Sequence, residues 1–533
     1  MFAYRDRPVV SGGRALAFAA AMLIGGVAQA QAPAPTSGVT LESAITQALR
    51  QNANIQLSRQ SVEANRGSVL QARGIFDAVA SASASHNRNY RQLRRDEVIS
   101  LQSVRITPHD QITETTTYRA GVDQTLESGV ALGGAFVVSG VQDNAQRIQG
   151  IPPQTTANLQ FTLKVPLLKN AGRDTVTATL AAAGHELDAA NHDFSHTNAQ
   201  IVLNVTLAYW EYVGRTRLLD IATESERRAR QLLAEMQRLV NADQLPRAEL
   251  ELISASAAEK TATRVAAEQS LADARRNLSR LLGVSSAEAV RLPAPLQDFP
   301  DNQNAPTTLI NLPQEWIDRA LGRRADLLAE LARELAVRTR VTAARNNLKP
   351  QLDLNFAFGY ITNAESVAIT SLETLVGRTY AGPVVTAGIS YQFPVRNSAA
   401  EGLVLSQSAA LDSSLIRQRD LRATIGANVE VAAQALRRAA LQLREAREAV
   451  GRYATALKNE RTKRELGTAT LIDVLNVEDR YNNALTGSVS REQAFANAIA
   501  QLRFEAGLLV NREGETYTVR VEDLISHAVE LGQ

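Results

Sequence analysis

Between Gly172 and Val240 the chain runs without a single proline or any cluster of turn-forming residues. At 1.5 Å per residue, one helix of about 70 residues reaches on the order of 100 Å. A second run of the same character covers about 402–463. Helices in globular domains average three to four turns, so two this long point to an extended coiled-coil body rather than a compact bundle. The spacing in the last helical segment agrees: Phe495, Ala498, Leu502, Ala506 and Leu509 advance in steps of 3, 4, 4 and 3, the seam of a coiled coil. Many seam positions are alanine, so neighbouring helices can approach closely.

Against this helical background a different period stands out. In QLDLNFAFGY (351–360), Leu352, Leu354, Phe356, Phe358 and Tyr360 alternate with Asp353, Asn355, Ala357 and Gly359. That is a strand with one apolar face. VTAGISYQF (385–393) and NLQFTLKV (158–165) alternate likewise, and AVASASASH (78–86) alternates alanine with serine. A further pair, TYRAGVDQTL (117–126) and VALGGAFVV (130–138), flanks the turn Glu127-Ser128-Gly129. Such segments suit membrane strands of about 9–11 residues, with one side toward lipid and the other toward a lumen. A soluble sandwich would alternate too.

The two halves repeat. At a shift of 272 positions, Ile45, Ala48, Leu49 and Ala53 fall on Ile317, Ala320, Leu321 and Ala325, and Ala72-Arg73 on Ala344-Arg345. At a shift of 224, IVLNVTLAYW (201–210) meets IGANVEVAAQ (425–434), and Ala274, Leu278 and Gly283 meet Ala498, Leu502 and Gly507. Shared alanines alone would follow from any two alanine-rich helices; the Asn-Val and Gly matches in constant register favour an internal duplication. The resulting division is a first repeat over 31–283, with strands about 78–166 and a long helix hairpin about 172–283. A linker over 284–313 follows. The second repeat covers 314–510, with strands about 350–394 and a hairpin about 402–510, and 511–533 is a C-terminal tail. The shifts differ by 48, the length by which the first copy is longer between its strands.

Arg5, Arg7 and Arg14, the apolar run 15–27 and Ala28-Gln29-Ala30 have the order of a cleaved signal peptide over 1–30. The mature start expected is Gln31, in an export compartment, and the apolar run is shorter than the ~20 residues of a spanning helix. No later stretch is apolar enough for one, so a membrane passage would have to be a β-barrel. The chain carries 57 Lys+Arg against 55 Asp+Glu, so no basic excess points to nucleic acid. It has no cysteine, which excludes disulfides, thiolate metal sites and a cysteine nucleophile. Two certain strands per copy give four per chain, too few to close a membrane barrel of about eight or more. The sequence therefore asks for sister subunits to share one barrel; three would supply twelve strands, or eighteen if the extra hairpin joins the wall.

These motifs resemble the TolC-like outer membrane efflux proteins over the whole mature chain. The resemblance lies in LESAITQALRQNANIQLSRQSVEANRGSVLQA (41–72), FTLKVPLLKNAGR (161–173), RALGRRADLLAE (319–330), LKPQLDLNFAFGY (348–360) and LGTATLIDVLNVEDRYNNAL (466–485). Each is degenerate alone; their order and spacing are specific. GIFDA (74–78) departs by lacking the proline that Pro350 supplies in the second copy. The resemblance implies a mixed α and β fold: a long α-helical barrel in the periplasm below a transmembrane β-barrel in the outer membrane, shared by a homotrimer. It implies a passive exit duct for small molecules or polypeptides, served by a periplasmic adaptor protein and an inner-membrane pump in tripartite efflux or type I secretion. The alternative is a non-transporting structural or adhesive coiled-coil protein of the outer membrane.

There is no P-loop, G-x-S-x-G or H-E-x-x-H, and no enzyme, cofactor or metal is expected. His185, His192 and His196 share one helical face, but no carboxylate or further ligand is fixed beside them. The tips of the helix hairpins are more informative. Asp473 follows Gly467 closely, and a shift of 224 carries it onto Glu249, after Pro246. Both could be ordinary helix-start carboxylates, favoured by the dipole. In a trimer they would instead form a ring of six that attracts cations and narrows the entrance. By the resemblance, Asp473 lies in that entrance, Asn476 stands where a second Asp is usual, and Arg464 and Ala469 stand where some members carry a Tyr and an Arg that latch the closed state. Asp353 and Asn355 are expected to face the pore of the barrel. Cargo, pump type, resting state and the placement of the extra hairpin at about 116–138 stay open.

Overall fold

A computed structural model of the chain describes residues 38–103, 110–242, 247–300, 313–365, 380–513 and 516–525. The expected signal peptide, part of the expected linker and the residues around Pro246 lie outside the described residues. In chain order the main elements begin with α1 (Leu41–Gln51), α2 (Ala53–Arg73), β1 (Val79–Gln92), β2 (Asp110–Thr125), β3 (Ala131–Asp143) and β4 (Gln154–Pro166). The first hairpin is α3 (Ala178–Asn241) and α4 (Arg247–Leu282), followed by α5 (Pro313–Arg323), α6 (Ala325–Asn346), β5 (Gln351–Glu365) and β6 (Tyr380–Gln392). The second hairpin is α7 (Ser398–Glu465) and α8 (Leu471–Glu505), and the chain closes with β7 (Asn511–Glu513) and β8 (Thr516–Thr518).

The long helices are as the proline-free runs require: α3 has 64 residues and α7 has 68. The N-terminal helix of each half, however, is broken in two. Asn52, 5% exposed, stops α1 and caps α2, its Oδ1 accepting from the Asn54 N–H at 2.9 Å while Nδ2 donates to the Leu281 carbonyl at 2.7 Å. Arg324 breaks the second half 272 positions later, and its buried guanidinium bonds Asp326 at 2.7 Å and Glu505 at 2.5 Å. Leu281 and Glu505 are themselves 224 apart. Each kink is thus tied to the same point of its own return helix. The break is illegible in helical periodicity, because the apolar spacing resumes in phase after one extended residue; the buried polar residue at the break is its only mark.

The ends of the return helices meet these kinks. Gly283 and Gly507 both adopt left-handed backbone, with φ of 74° and 69°. A Cβ on Gly283 would lie 2.5 Å from the Gln51 carbonyl oxygen, and one on Gly507 3.3 Å from the Cβ of Arg323. Around them lies the main core. Ile45, Tyr209, Trp210, Tyr212, Leu278 and Leu282 are almost fully buried in one cluster, and Ile425, Val429, Leu443 and Ile499 in its counterpart. The Tyr209 hydroxyl donates to the Val39 carbonyl and the Tyr212 hydroxyl to that of Pro293, each at 3.1 Å, so the linker is strapped to α3. The tail folds back as well: the Tyr517 and Ser195 hydroxyls are 2.9 Å apart.

The strands form one sheet in the order β1-β2-β3-β4-β5-β6, antiparallel throughout. The hairpin that the sequence left unplaced, β2–β3, lies inside it. Strands run 13 to 16 residues, longer than a membrane crossing needs. Register keeps one face apolar across the sheet: Ala80, Val122, Gly134, Phe161, Phe358 and Val385 stand in one cross-strand row. Phe358 is 57% exposed, Val385 72% and Ile389 71%. All helix junctions leave from the same end of the sheet, so the helices continue it rather than cover either face.

The packing at the kink makes a testable distinction. Gly467, φ 74°, has open space where its Cβ would stand, whereas Gly283 does not. Gly467→Ala is expected to cost only the left-handed strain, about 1–2 kcal/mol. Gly283→Ala is expected to cost clearly more, because the Gln51 kink must also shift. Denaturant midpoints at unchanged slope measure the difference; equal losses would mean the kink is not held by this contact.

Candidate functional site at the hairpin tips and the polar sheet face

The second hairpin turns through Leu466 to Thr470. Gly467 closes α7, the Thr468 N–H donating to the Lys463 carbonyl at 2.8 Å. Thr470 then opens α8 with a reciprocal cap: its hydroxyl accepts from the Asp473 N–H at 3.2 Å, while its N–H and hydroxyl donate to Asp473 Oδ2 at 2.9 and 2.6 Å. The Thr470 hydroxyl, then its N–H, hold the Asp473 carboxyl below the usual carboxylate range, with Lys463 adding to the effect. Asp473 is therefore a helix cap and an exposed anion together. Asn476, exposed, follows one turn later on α8, and Arg464 sits half-buried in the last turn of α7. Glu249 is in the first turn of α4, but its side chain lies outside the described residues. The structure places Asp473, Asn476 and Arg464 at one tip.

Behind the tip, the two hairpins are laced together by residues that sequence reasoning missed. Arg228 of α3 bonds Glu478 of α8 at 2.6 Å and Asn482 at 2.8 Å, and Asn482 reaches Ser225 at 3.1 Å. Glu478 also meets Arg461 at 3.5 Å, and Lys260 of α4 pairs with Asp479 at 2.6 Å. Arg228 and Glu478 are mostly shielded, at 20% and 15% side-chain exposure. Nothing local marks them, since charges on a long helix ordinarily face solvent. A usable signal was that Glu478 and Asp479 sit inside the quoted tip motif.

On the sheet, Asp353 and Asn355 share the polar face with Gln160, Thr162, Lys164, Thr386 and Ser390. Asp353 is not a free charge there: it is 3% exposed, with Lys164 Nζ 2.9 Å from its Oδ2 and Gln351 Nε2 at 2.5 Å. Asn355 donates to the Ser390 hydroxyl at 3.0 Å. No group of three or more His, Cys, Asp or Glu is placed to hold a metal ion among the described residues. Of the histidines, His192 and His196 line a cavity beside Arg323 and Tyr517, and the His196 ring packs on Phe504. None of the described helices is long and apolar enough to cross a membrane.

No family model matches the chain, and no curated protein matches it significantly. Solved structures do. The outer membrane channel CmeC of Campylobacter jejuni superposes with a TM-score of 0.64 at 15% identity, over 88% of this chain and 85% of that one. VceC, an outer membrane protein of Vibrio cholerae, gives 0.62 at 16% identity, over 88% and 96%. A membrane protein from Pseudomonas aeruginosa gives 0.64 at 15%, over 87% and 92%. The fold of this chain is the fold of these proteins over 87–88% of its length.

Two results are expected at the tip. Glu478→Ala takes one carboxylate from Arg228, which keeps Asn482 and Glu224, and removes a partner of Arg461; it should destabilise the assembly of the hairpins by about 1–3 kcal/mol, the worth of a shielded charged hydrogen bond. Proteolytic nicking near 466–470 should accelerate in step; unchanged nicking would show the lacing to be incidental. Asp473 has a lowered folded pKa, so its capping contribution is complete above the unfolded carboxyl range near pH ~3.9 and is lost only as pH falls through the lower folded value. A pH titration of Asp473→Asn against the parent chain should show the stability gap closing only in acid.

Proposed function

We propose that this chain is one third of a TolC-like outer membrane channel-tunnel, a passive exit duct for efflux. The observation that carries the reading is the joining of two unlike halves end to end. A sheet with one apolar and one polar face continues directly into helices on the order of 100 Å long, and over 88% of its length the chain has the fold of the outer membrane channel CmeC and of the outer membrane protein VceC. The apolar face suits lipid, the polar face an aqueous lumen, and the hairpins a wall across the periplasm. The duplicated shifts, the paired kinks at Asn52 and Arg324 and the paired glycines at 283 and 507 support descent of the two halves from one repeat.

Assembly follows from what the single chain leaves uncovered. Leu405, Ile416 and Val431 of α7 are exposed, as are Leu57 and Leu70 of α2 and Val265 of α4. Neighbouring copies in a homotrimer would cover them. A periplasmic adaptor and an inner-membrane pump would supply cargo and energy, because nothing in the chain itself performs chemistry in this reading. An adhesive or purely structural coiled coil would leave the continuous polar sheet face without a use.

The gate is assigned to the tips, with Asp473 and Glu249 from each copy around one axis. In a planar bilayer the purified channel should favour cations at neutral pH and be blocked by multivalent cations added from the tip side. Asp473→Ala should weaken selectivity and block, and the double change with Glu249→Ala should weaken them further. Asp353→Asn should alter block much less, since Lys164 already neutralises that carboxylate. A double variant with unaltered selectivity would make both residues plain helix-start carboxylates.

A further inference from the structure

We infer that the additional hairpin β2–β3 is part of the membrane wall, so that three copies close a barrel of eighteen strands instead of twelve. The inference rests on the proposed assembly and adds to it the number of strands each chain contributes. β1 and β4 are not neighbours. β2 is bonded along β1 from Val79↔Asp123 to Gln92↔Asp110, and β3 along β4 from Ala131↔Lys164 to Val141↔Gln154. A wall of four strands per chain would require breaking both ladders and re-pairing β1 with β4, and in lipid every ladder group left open is costly.

The hairpin also carries the polarity of the wall. Tyr118, Ala120, Val122, Leu132, Phe136 and Val138 continue the apolar face; Tyr118 is 45% exposed and Val122 49%. Thr113, Thr115 and Thr117 of β2 and Ser139 of β3 continue the polar one, the Thr117 and Ser139 hydroxyls standing 3.2 Å apart. A hairpin lying outside a wall would have no reason to keep the same two-sided pattern in the same register.

Its turn is fixed where a membrane barrel keeps its short turns. Residues 126–130 turn at the helix-bearing end, the Leu126 N–H donating to the Val130 carbonyl at 2.8 Å. Glu127 pairs with Arg173 at 2.7 Å, and a Cβ on Gly129, φ 89°, would lie 2.5 Å from the Asn170 carbonyl oxygen. The connections at the opposite end, 93–109, 144–153 and 366–379, are all longer. Short turns on the periplasmic side and long connections outside are the rule for outer-membrane barrels.

The edges then meet. With an even number of strands, β6 of one copy runs antiparallel to β1 of the next. β1 offers the small Ala80, Ala82 and Ala84 on its apolar side, and β6 the large Val385, Ile389 and Tyr391. Small against large side chains lets the two edges close without a gap. Barrel diameter grows roughly linearly with strand number, so the wall is wider by about half than one of twelve strands. Exclusion by size is then left to the helix tips.

The test uses the absence of native cysteine. Tyr118→Cys and Phe136→Cys are labelled with an environment-sensitive fluorophore and reconstituted in phosphatidylcholine vesicles with or without acyl-chain nitroxide. Phe358→Cys in β5 serves as the wall control, and cross-linked mass reports the trimer. Both hairpin sites should lose fluorescence to the nitroxide as fully as the control. Thr117→Cys and Ser139→Cys should escape it and react with an impermeant charged thiol reagent. Val122→Cys and Leu132→Cys replace the first pair if either fails to assemble. Trimers with a quenched control but unquenched hairpin sites would overturn the inference and leave the assembly standing. Absence of trimers, or an unquenched control, would overturn the proposed assembly and this inference with it.

Discussion

A sheet edge cannot be left open in lipid. The six-stranded sheet of this chain carries one strongly apolar face, and among the described residues the outer edges of β1 and β6 have no neighbouring strand. Water would satisfy the edges but not the face; lipid would satisfy the face but not the edges. In the proposed assembly, closure into a barrel with further copies meets both demands. The helices continue the strand ends at one end of the sheet, and in that assembly each would inherit its place around the common axis from the strand it continues.

The junction between sheet and helices is rich in polar contacts. Asn170, held at φ 60°, donates its N–H to Asn346 Oδ1 at 2.8 Å, and the Leu167 and Lys169 N–H groups donate to the Leu352 and Pro350 carbonyls. Lys164 and Asp353 pair just above. Farther along, the kinks at Asn52 and Arg324 lock to the ends of their return helices. Rigidity is therefore concentrated at the sheet base and at mid-helix, and the tips are held mainly by polar lacing between Arg228, Glu478, Asn482, Lys260 and Asp479. That distribution suits a fixed duct with an adjustable entrance.

Much of this was legible in the sequence because long periods survive local noise. The runs 172–240 and 402–463 gave the helices, and the alternations at 78–86, 158–165, 351–360 and 385–393 gave the outer strands of each half. The hairpin at 117–138 read as strands, but its place in the sheet depends on pairing between distant segments, which no local pattern carries. The breaks at Asn52 and Arg324 were hidden because a single extended residue leaves the apolar phase intact. At the candidate site, Asp473 and Asp353 were found as charges, yet their partners were not. Thr470 turns the first into a cap, and Lys164, nearly two hundred positions away, buries the second.

The central claim is that one chain is an incomplete channel. Native mass spectrometry of the detergent-extracted protein tests it most directly. The account requires a mass of three mature chains and no conducting species of lower mass. A stable single chain that conducts ions in a bilayer would contradict it.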